Sequence, residues 1–399
     1  MKAHLGTDHS PLVVHVIPSP LGRGAQRAAR ILVDKLHEPG VVRHQLLGLF
    51  DGPPEVDLDL DLRYPGGIHA AEGFHPRLAL RLRRTLARLS PVAVVAHGGD
   101  PMKYVVPAVI GTGCPLAYCV IGTYAGPPSP VHEFRWRQIM ARADLVVAVG
   151  GEVLEECTGR FGVPSERVVL ILNGRDPLQF QPRSAGAQGG APPTLIFVGA
   201  MTPQKQPDRF IEVVGRLRAE GRPLRALLVG DGPLAGPLAA AAAAQGVELL
   251  GARPNVAELL RQSDVLVFTS RPAGEGMPGV LIEAGLSGLP VVSTPVPGAA
   301  TVLVDGVTGF IVEDSVGAVT DAVTLLIDDP VRRAAMGSAA RRRCEEEFTL
   351  DLMAARWQVA LQSMVDPQVR AARCGRTALG RRANAFRRAM RARRGSSHS

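Results

Sequence analysis

An apolar run, Val265-Leu-Val-Phe268, leads through a glycine-rich turn into a helical pattern, and this junction limits what the chain can fold into. Four apolar residues bounded by turn signals read as a buried parallel strand. Val280, Leu281 and Ala284 then recur at helical spacing, and Gly288 supplies the stop. Gly274, Gly276 and Gly279 lie between strand and helix, where bare backbone N–H groups can approach a ligand closely. The first N–H groups of a helix have no internal partner and the helix dipole favours negative charge, so such a turn suits an anion. Glu275 and Glu283 frame it. Carboxylates repel a phosphate but accept hydrogen bonds from neutral hydroxyls. A phosphate between amides, with hydroxyls on either side, describes a nucleotide sugar.

The stretch Glu275-Gly-Met-Pro-Gly-Val-Leu-Ile-Glu283, followed by Leu289-Pro-Val-Val-Ser293, resembles the Glu-x7-Glu segment of the family 4 retaining glycosyltransferases of the GT-B fold. The resemblance runs through most of the chain, is strongest from Thr194 to Ile311 and is absent from the tail. Gly199-Ala-Met-Thr-Pro-Gln-Lys205 resembles the family's diphosphate-binding turn, with Lys205 in place and Ala200 where an arginine is usual. Arg271, Arg253 and Arg23 are candidates to replace that charge. Thr294 to Thr301 matches a family loop that often ends in Glu; here it ends in Thr301. Many members carry a site histidine in the loop that here reads Ile121-Gly-Thr-Tyr-Ala-Gly126, leaving His132 as a substitute or as a capping residue.

Length and composition fit this reading. A chain of 399 residues can fill two cores, and 46% hydrophobic content with alternating strand and helix patterns indicates α/β architecture. No run reaches the roughly 18 apolar residues of a spanning helix. Leu12 to Ile17 reads as a core strand rather than a leader. Five cysteines without metal-ligand spacing indicate a reducing compartment and no structural zinc. The net charge of +8 is misleading, because Pro367 to Ser399 holds ten arginines and no acid, so the rest carries −2. The high pI belongs to a tail, which argues against nucleic acid as the partner of the folded body. Leu379, Phe386 and Met390 give that tail a basic amphipathic pattern, suited either to an anionic membrane face or to a solvated tail.

Other segments supply candidates for the acceptor side. Pro18 to Ala25 is a glycine loop after the first strand, making Gly22 and Gly24 donor candidates and Arg23 a neighbour. His97-Gly-Gly-Asp-Pro-Met-Lys103 follows a strand, where open α/β sheets place ligands, so His97, Asp100 and Lys103 are candidates; Asp100 reads equally as an N-cap. Val56 to Asp61 alternates, putting Asp57, Asp59 and Asp61 on one face of an extended segment, a solvated edge strand in preference to a metal site. Asn173-Gly-Arg-Asp176 resembles the family's junction after its first domain.

The expected organisation is two Rossmann-like parallel-sheet domains, residues 1–180 on the acceptor side and 194–348 on the donor side. A linker of residues 181–193 joins them, residues 349–366 cross back, and residues 367–399 form the arginine-rich tail. The resemblance implies transfer of a hexose-type sugar from a nucleoside diphosphate sugar to a carbohydrate, lipid-linked or small-molecule acceptor, without metal or further cofactor. Gly199 and the backbone of Gly276, Met277, Pro278, Gly279 and Val280 would meet the donor phosphates, and Arg253 the base or a phosphate. Glu283 would bind ribose and Glu275 the sugar, with Lys205 on the leaving diphosphate. The location implied is cytoplasmic, peripheral at the inner membrane face. A phosphorylase, a nucleotide-sugar epimerase and a nucleotide-sugar-binding protein without turnover are the alternatives.

Overall fold

A computed structural model describes residues 10–65, 73–124, 129–183, 192–272 and 275–366. Gly274, Gly126, most of the expected linker and the arginine-rich tail lie outside the described residues.

The first sheet is built from strands that are apolar at its centre and more polar towards the Leu60–Tyr64 edge. They are β1 (Leu12–Ile17), β2 (Arg43–Phe50), β3 (Leu60–Tyr64), β4 (Ala93–His97), β5 (Leu116–Val120), β6 (Leu145–Ala148) and β7 (Val168–Leu170). Between them lie α1 (Gly24–Leu36), α2 (Pro76–Leu89), α3 (Gly99–Val109), α4 (Pro130–Met140) and α5 (Gly151–Glu155). The strand order is β3-β2-β1-β4-β5-β6-β7, with every pair parallel. β1 and the central strands are buried throughout, as strands covered by helices on both faces must be.

The pattern then repeats. β8 (Thr194–Val198), β9 (Arg225–Val229), β10 (Glu248–Gly251), β11 (Val265–Phe268), β12 (Val291–Ser293) and β13 (Gly309–Ile311) form a second sheet. Its order is β10-β9-β8-β11-β12-β13, again all parallel. Its helices are α6 (Pro207–Ala219), α7 (Ala235–Ala244), α8 (Val256–Arg261), α9 (Gly279–Leu286), α10 (Ala299–Val302), α11 (Val316–Asp328) and α12 (Pro330–Glu347). The last helix, α13 (Leu350–Val365), is capped by Thr349 and packs back on the first sheet's side. Lys35 on α1 pairs with Asp351, and Trp357 lies 6.2 Å from the His97 ring, centroid to centroid. The two crossings between the sheets run side by side: Arg175 N donates to Phe348 O at 2.9 Å, and Leu350 N donates to Arg175 O at 2.8 Å.

Strand order reverses direction between β1 and β4 in one sheet and between β8 and β11 in the other. Doubly wound sheets open a crevice at such a reversal, beyond the carboxyl ends of the strands. Two crevices of one topology therefore position everything that follows.

Two local expectations are corrected. The Val56–Asp61 alternation is not a strand before Leu60. Asp59 turns in to accept from Leu46 N at 2.7 Å and Arg30 at 2.7 Å, while Asp61 pairs with Arg63, so these two carboxylates serve separate partners. Asp100 is not an N-cap: α3 begins at Gly99 with Gly98 in that position, and Asp100 lies in the first turn.

Candidate functional site

The crevice of the second sheet lies where β8 and β11 end. The turn after β8 carries Lys205, and the turn after β11 carries Glu275. Lys205 Nζ lies 2.6 Å from Glu275 Oε1 and 5.0 Å from the Phe268 ring centroid. The turns are tied at the backbone as well. Arg271 N donates to Gln204 O at 2.8 Å, and Gln204 Nε2 donates to Arg271 O at 2.9 Å. The Thr269 hydroxyl donates to the carbonyls of Lys205 and Gln206 at 3.1 and 2.9 Å. The lysine is thus held over the β11 turn by a network spanning more than sixty residues of sequence.

Pro278 precedes the helix and Gly279 opens α9, so the N–H groups of Gly279 and Val280 come ahead of any intrahelical acceptor. Glu283 lies one turn further and is held by Arg175, whose Nε stands 2.7 Å from Glu283 Oε1. Arg175 is only 6% exposed. Sequence reading placed it in a junction and gave it no part in the site. Gly279 has no Cβ because one would overlap the Arg175 guanidinium. At Gly276 a Cβ would overlap the Ile121 carbonyl oxygen, and Gly276 pairs with Gly122 as an antiparallel bridge. Asn173 Nδ2 donates to Met277 O at 2.9 Å. The loop after β5 and the Asn173–Arg175 segment therefore rest directly on the Gly276–Gly279 turn.

Other donor-side candidates are placed less closely. Gly199 N donates to Val229 O within the sheet, and its Cα faces the stem of Lys205. Arg253 is exposed beyond β10, the edge strand two places from β8. Ala200 leaves Lys205 as the cation of this turn, and Arg271, exposed, is the nearest arginine by backbone contact. Arg343 donates to the carbonyls of Thr301 and Val302.

The crevice of the first sheet gathers residues from the ends of β1, β4 and β5. Ile17, Pro18, Gln26, His97, Asp100 and Ile121 line a small hollow there. Two of the expected acceptor-side residues, His97 and Asp100, therefore meet. Lys103 reaches this edge through its ion pair with Asp100 at 2.7 Å. His132 does not line the hollow. Its ring stacks on Tyr124, with centroids 4.2 Å apart, and Arg160 covers the Tyr124 ring at 5.0 Å. Burial, then the nearby Arg160, holds the His132 ring below its ordinary pKa. Gly22 N donates to Glu55 at 2.8 Å, Arg23 precedes α1 and is exposed, and Gly24 is the first residue of that helix. Ile121 is common to both crevices: it lines the hollow, and its carbonyl abuts Gly276.

Comparison with known proteins agrees with this architecture. The chain matches the family model described as Glycosyltransferase Family 4 over residues 21–178, and that described as Glycosyl transferases group 1 over residues 192–329. It is 32% identical over 235 residues to the D-inositol 3-phosphate glycosyltransferase of Nocardia farcinica, covering 53% of this chain and 51% of that protein. It is 31% identical over 181 residues to a GDP-mannose-dependent monoacylated alpha-(1-6)-phosphatidylinositol monomannoside mannosyltransferase of Corynebacterium glutamicum, covering 43% and 47%. With EpsF of Bacillus subtilis, which bears a glycosyltransferase name, identity is 30% over 276 residues, covering 64% and 69%. The chain spans about half to three fifths of the length of the first curated relatives it matches. Among solved structures, Anabaena HepE in complex with UDP and glucose superposes with a TM-score of 0.71 at 18% identity, covering 88% of this chain and 99% of that one.

Proposed function

This chain belongs to the family 4 glycosyltransferases of the GT-B fold, and from that premise we propose that it moves a hexose-type sugar from a nucleoside diphosphate sugar to an acceptor hydroxyl, with retention and without a metal ion. The observation that carries the reading is the Lys205–Glu275 pair, 2.6 Å apart at the switch point of the second sheet and beside the N-terminus of α9. A cation from the turn after β8 and a carboxylate from the turn after β11 offer a diphosphate its counter-charge and a sugar its hydroxyl acceptor.

Each residue then has a task. The N–H groups of Gly279 and Val280 hold phosphate oxygens. Glu283, kept in place by Arg175, accepts from the ribose hydroxyls. Lys205 leaves Glu275 for the diphosphate, and Glu275 turns to the sugar hydroxyls. As the bond to the diphosphate breaks, negative charge grows on the leaving oxygen beside Lys205; fixed donors in such a place lower a barrier by several kcal/mol. The acceptor hydroxyl attacks from the same face, and a leaving-group oxygen takes its proton, so no protein base is required. The names of the relatives, inositol-phosphate and phosphatidylinositol-mannoside transferases among them, favour a polyol or lipid-linked polyol acceptor.

The test is thermal stabilisation by UDP, GDP, ADP and TDP and their common sugars, on the wild type and on Lys205→Ala. One nucleotide should raise the melting temperature of the wild type only. Stabilisation of neither protein by any nucleotide would overturn the reading, and reversible loss of transfer on adding a chelator would overturn its metal-independent part. A donor-binding protein without turnover is the second reading, favoured by Ala200 and Thr301. Saturable donor binding with no product over a broad acceptor panel would select it.

A further inference from the structure

The hollow of the first sheet has a floor that the transfer chemistry does not use. His97, on β4, is 5% exposed, and its Nε2 lies 2.9 Å from Nδ1 of His15 on β1, which is fully buried. His15 Nε2 lies 2.9 Å from Nδ1 of His44 on β2. Three imidazoles thus cross three adjacent strands as one hydrogen-bonded chain, ending at the hollow. Burial pushes both His44 and His97 down to about 4, with His37 adding to the effect at His44. Burial, followed by the neighbouring rings and Arg30, lowers His15 in the same direction. All three are neutral at neutral pH.

Each neutral ring has one N–H, so the two bonds must run in the same sense. If His44 donates to His15, then His15 donates to His97, and His97 Nδ1 carries the remaining proton. If the chain runs the other way, His97 Nδ1 is bare. That atom has no hydrogen-bond partner among the described residues, and His97 lines the hollow. A second group points to a ligand independently. Gln26 lines the same hollow, is 7% exposed, and its Oε1 is buried with no hydrogen-bond partner. A buried acceptor left unpaired is destabilising, and a ligand donor would relieve it. The Asp100 carboxylate at the rim is paired with Lys103 at 2.7 Å, so the rim does not single out an anion. A hydroxyl answers each of these demands: it donates to Gln26, and it meets His97 whichever way the imidazole chain runs.

We propose that the hollow at the carboxyl ends of β1 and β4 is a subsite for neighbouring hydroxyls of a neutral polyol, gripped by Gln26 Oε1 and His97 Nδ1. His15 and His44 are positioning residues that set the sense of the His97 bond. The polyol's identity as the acceptor rests on the transferase reading; the hollow's affinity for hydroxyls does not.

The experiment is histidine-ring NMR on the full chain, labelled with 15N at histidine. Methyl α-D-glucoside, methyl α-D-mannoside and myo-inositol are the probes, with octyl α-D-glucoside presenting the same hydroxyls on an alkyl tail. UDP and GDP stabilisation is measured in parallel. At least one probe should move the His97 ring signals in the wild type, and Gln26→Leu should weaken that response about fivefold, the loss of one hydrogen bond. His44→Gln should change the tautomer signature of His97 with no change at its own ring contacts. Movement only with the octyl glycoside supports the subsite and identifies a lipid-held source. Unmoved His97 signals with every probe would overturn the subsite, and an equal response in Gln26→Leu would overturn the grip. Should nucleotides fail to stabilise while polyols still move His97, the transferase reading falls and the subsite stands. Wild-type spectra alone decide the matter if a variant does not fold.

Discussion

At the reversal point of the second sheet, Lys205 and Glu275 meet across two turns as an ion pair, with buried Arg175 on Glu283 behind them. At the same point of the first sheet lie a glutamine and a chain of three neutral histidines, with the Asp100–Lys103 ion pair at the rim. Topology is identical in the two cases, and the crevice is opened by the same rule. What differs is the side chain that each strand end delivers. One crevice holds paired formal charges that a diphosphate and its sugar can separate. The other keeps its ion pair, Asp100 with Lys103, at the rim and buries uncharged imidazoles beneath, so its floor can only offer hydrogen bonds. Strand order selects where a ligand goes, and burial against ion pairing selects its charge.

Acid should separate the two crevices most strongly. In the unfolded chain a histidine takes up its proton near pH 6.5, whereas in the folded chain His44 and His97 do so only near 4. Between these values the unfolded state binds more protons, so the stability of the folded chain is full above about pH 6.5 and falls as pH drops towards 4. At about 1.4 kcal/mol per pKa unit, the two rings together cost several kcal/mol by the end of that window. Trp136 on α4 and Trp357 on α13 are the two tryptophans, and Trp357 lies beside His97, so fluorescence reports on this side of the molecule. Its denaturant midpoint should fall between pH 6.5 and 4, and His44→Gln should flatten the slope. A midpoint indifferent to pH would mean that the imidazole chain is not buried and neutral as described.

The charged crevice should respond to loss of a partner instead. Arg175→Ala leaves Glu283 largely buried and unpaired, at a cost of about 3–5 kcal/mol. Arg175→Ala combined with Glu283→Gln removes the stranded charge and should recover much of that loss, without recovering nucleotide binding. Chemical denaturation followed by far-UV circular dichroism measures the first part, and thermal shift with nucleotide the second. A single variant as stable as the wild type would show that the pair is solvated and that Arg175 does not position Glu283.

The same contrast explains what could be read before the fold was known. Glu275 and the Gly276–Gly279 turn could be picked out beforehand because they lie within one strand–turn–helix unit, and Lys205 because its turn resembles the family's. Both sheets were legible from the alternation of apolar runs and helical patterns. Arg175 was not, because its partner Glu283 is 108 residues away and only the crossing beside Thr349 brings them together. His15 read as one polar residue in a core strand, and β2, which carries His44, gave no clear alternation to read. The imidazole chain exists only because the strand order β2-β1-β4 sets three distant histidines side by side. The Asp57–Asp61 alternation misled for a related reason: period-two spacing places residues on one face only if the segment is extended, and Asp59 is drawn inward by Leu46 N and Arg30 instead.

The smallest expected effect is at Lys205 in the free protein, and it separates a structural ion pair from a binding one. The Lys205 and Glu275 side chains are 23% and 12% exposed, more open on the lysine side than the Arg175–Glu283 pair. Water therefore relieves part of the charge that Lys205→Ala strands on Glu275, and the free protein should lose only about 1–2 kcal/mol. Lys205→Ala with Glu275→Gln should restore that loss, because the glutamine needs no counter-charge. Nucleotide affinity should nevertheless stay about 10- to 100-fold down in both variants, the scale of one charge-assisted hydrogen bond to a phosphate. Calorimetric titration of each protein with the nucleotide that stabilises the wild type reads this directly. If the double variant regained binding along with stability, Lys205 would be a buttress for the β11 turn, and the diphosphate's counter-charge would have to come from Arg271, whose backbone shares that turn.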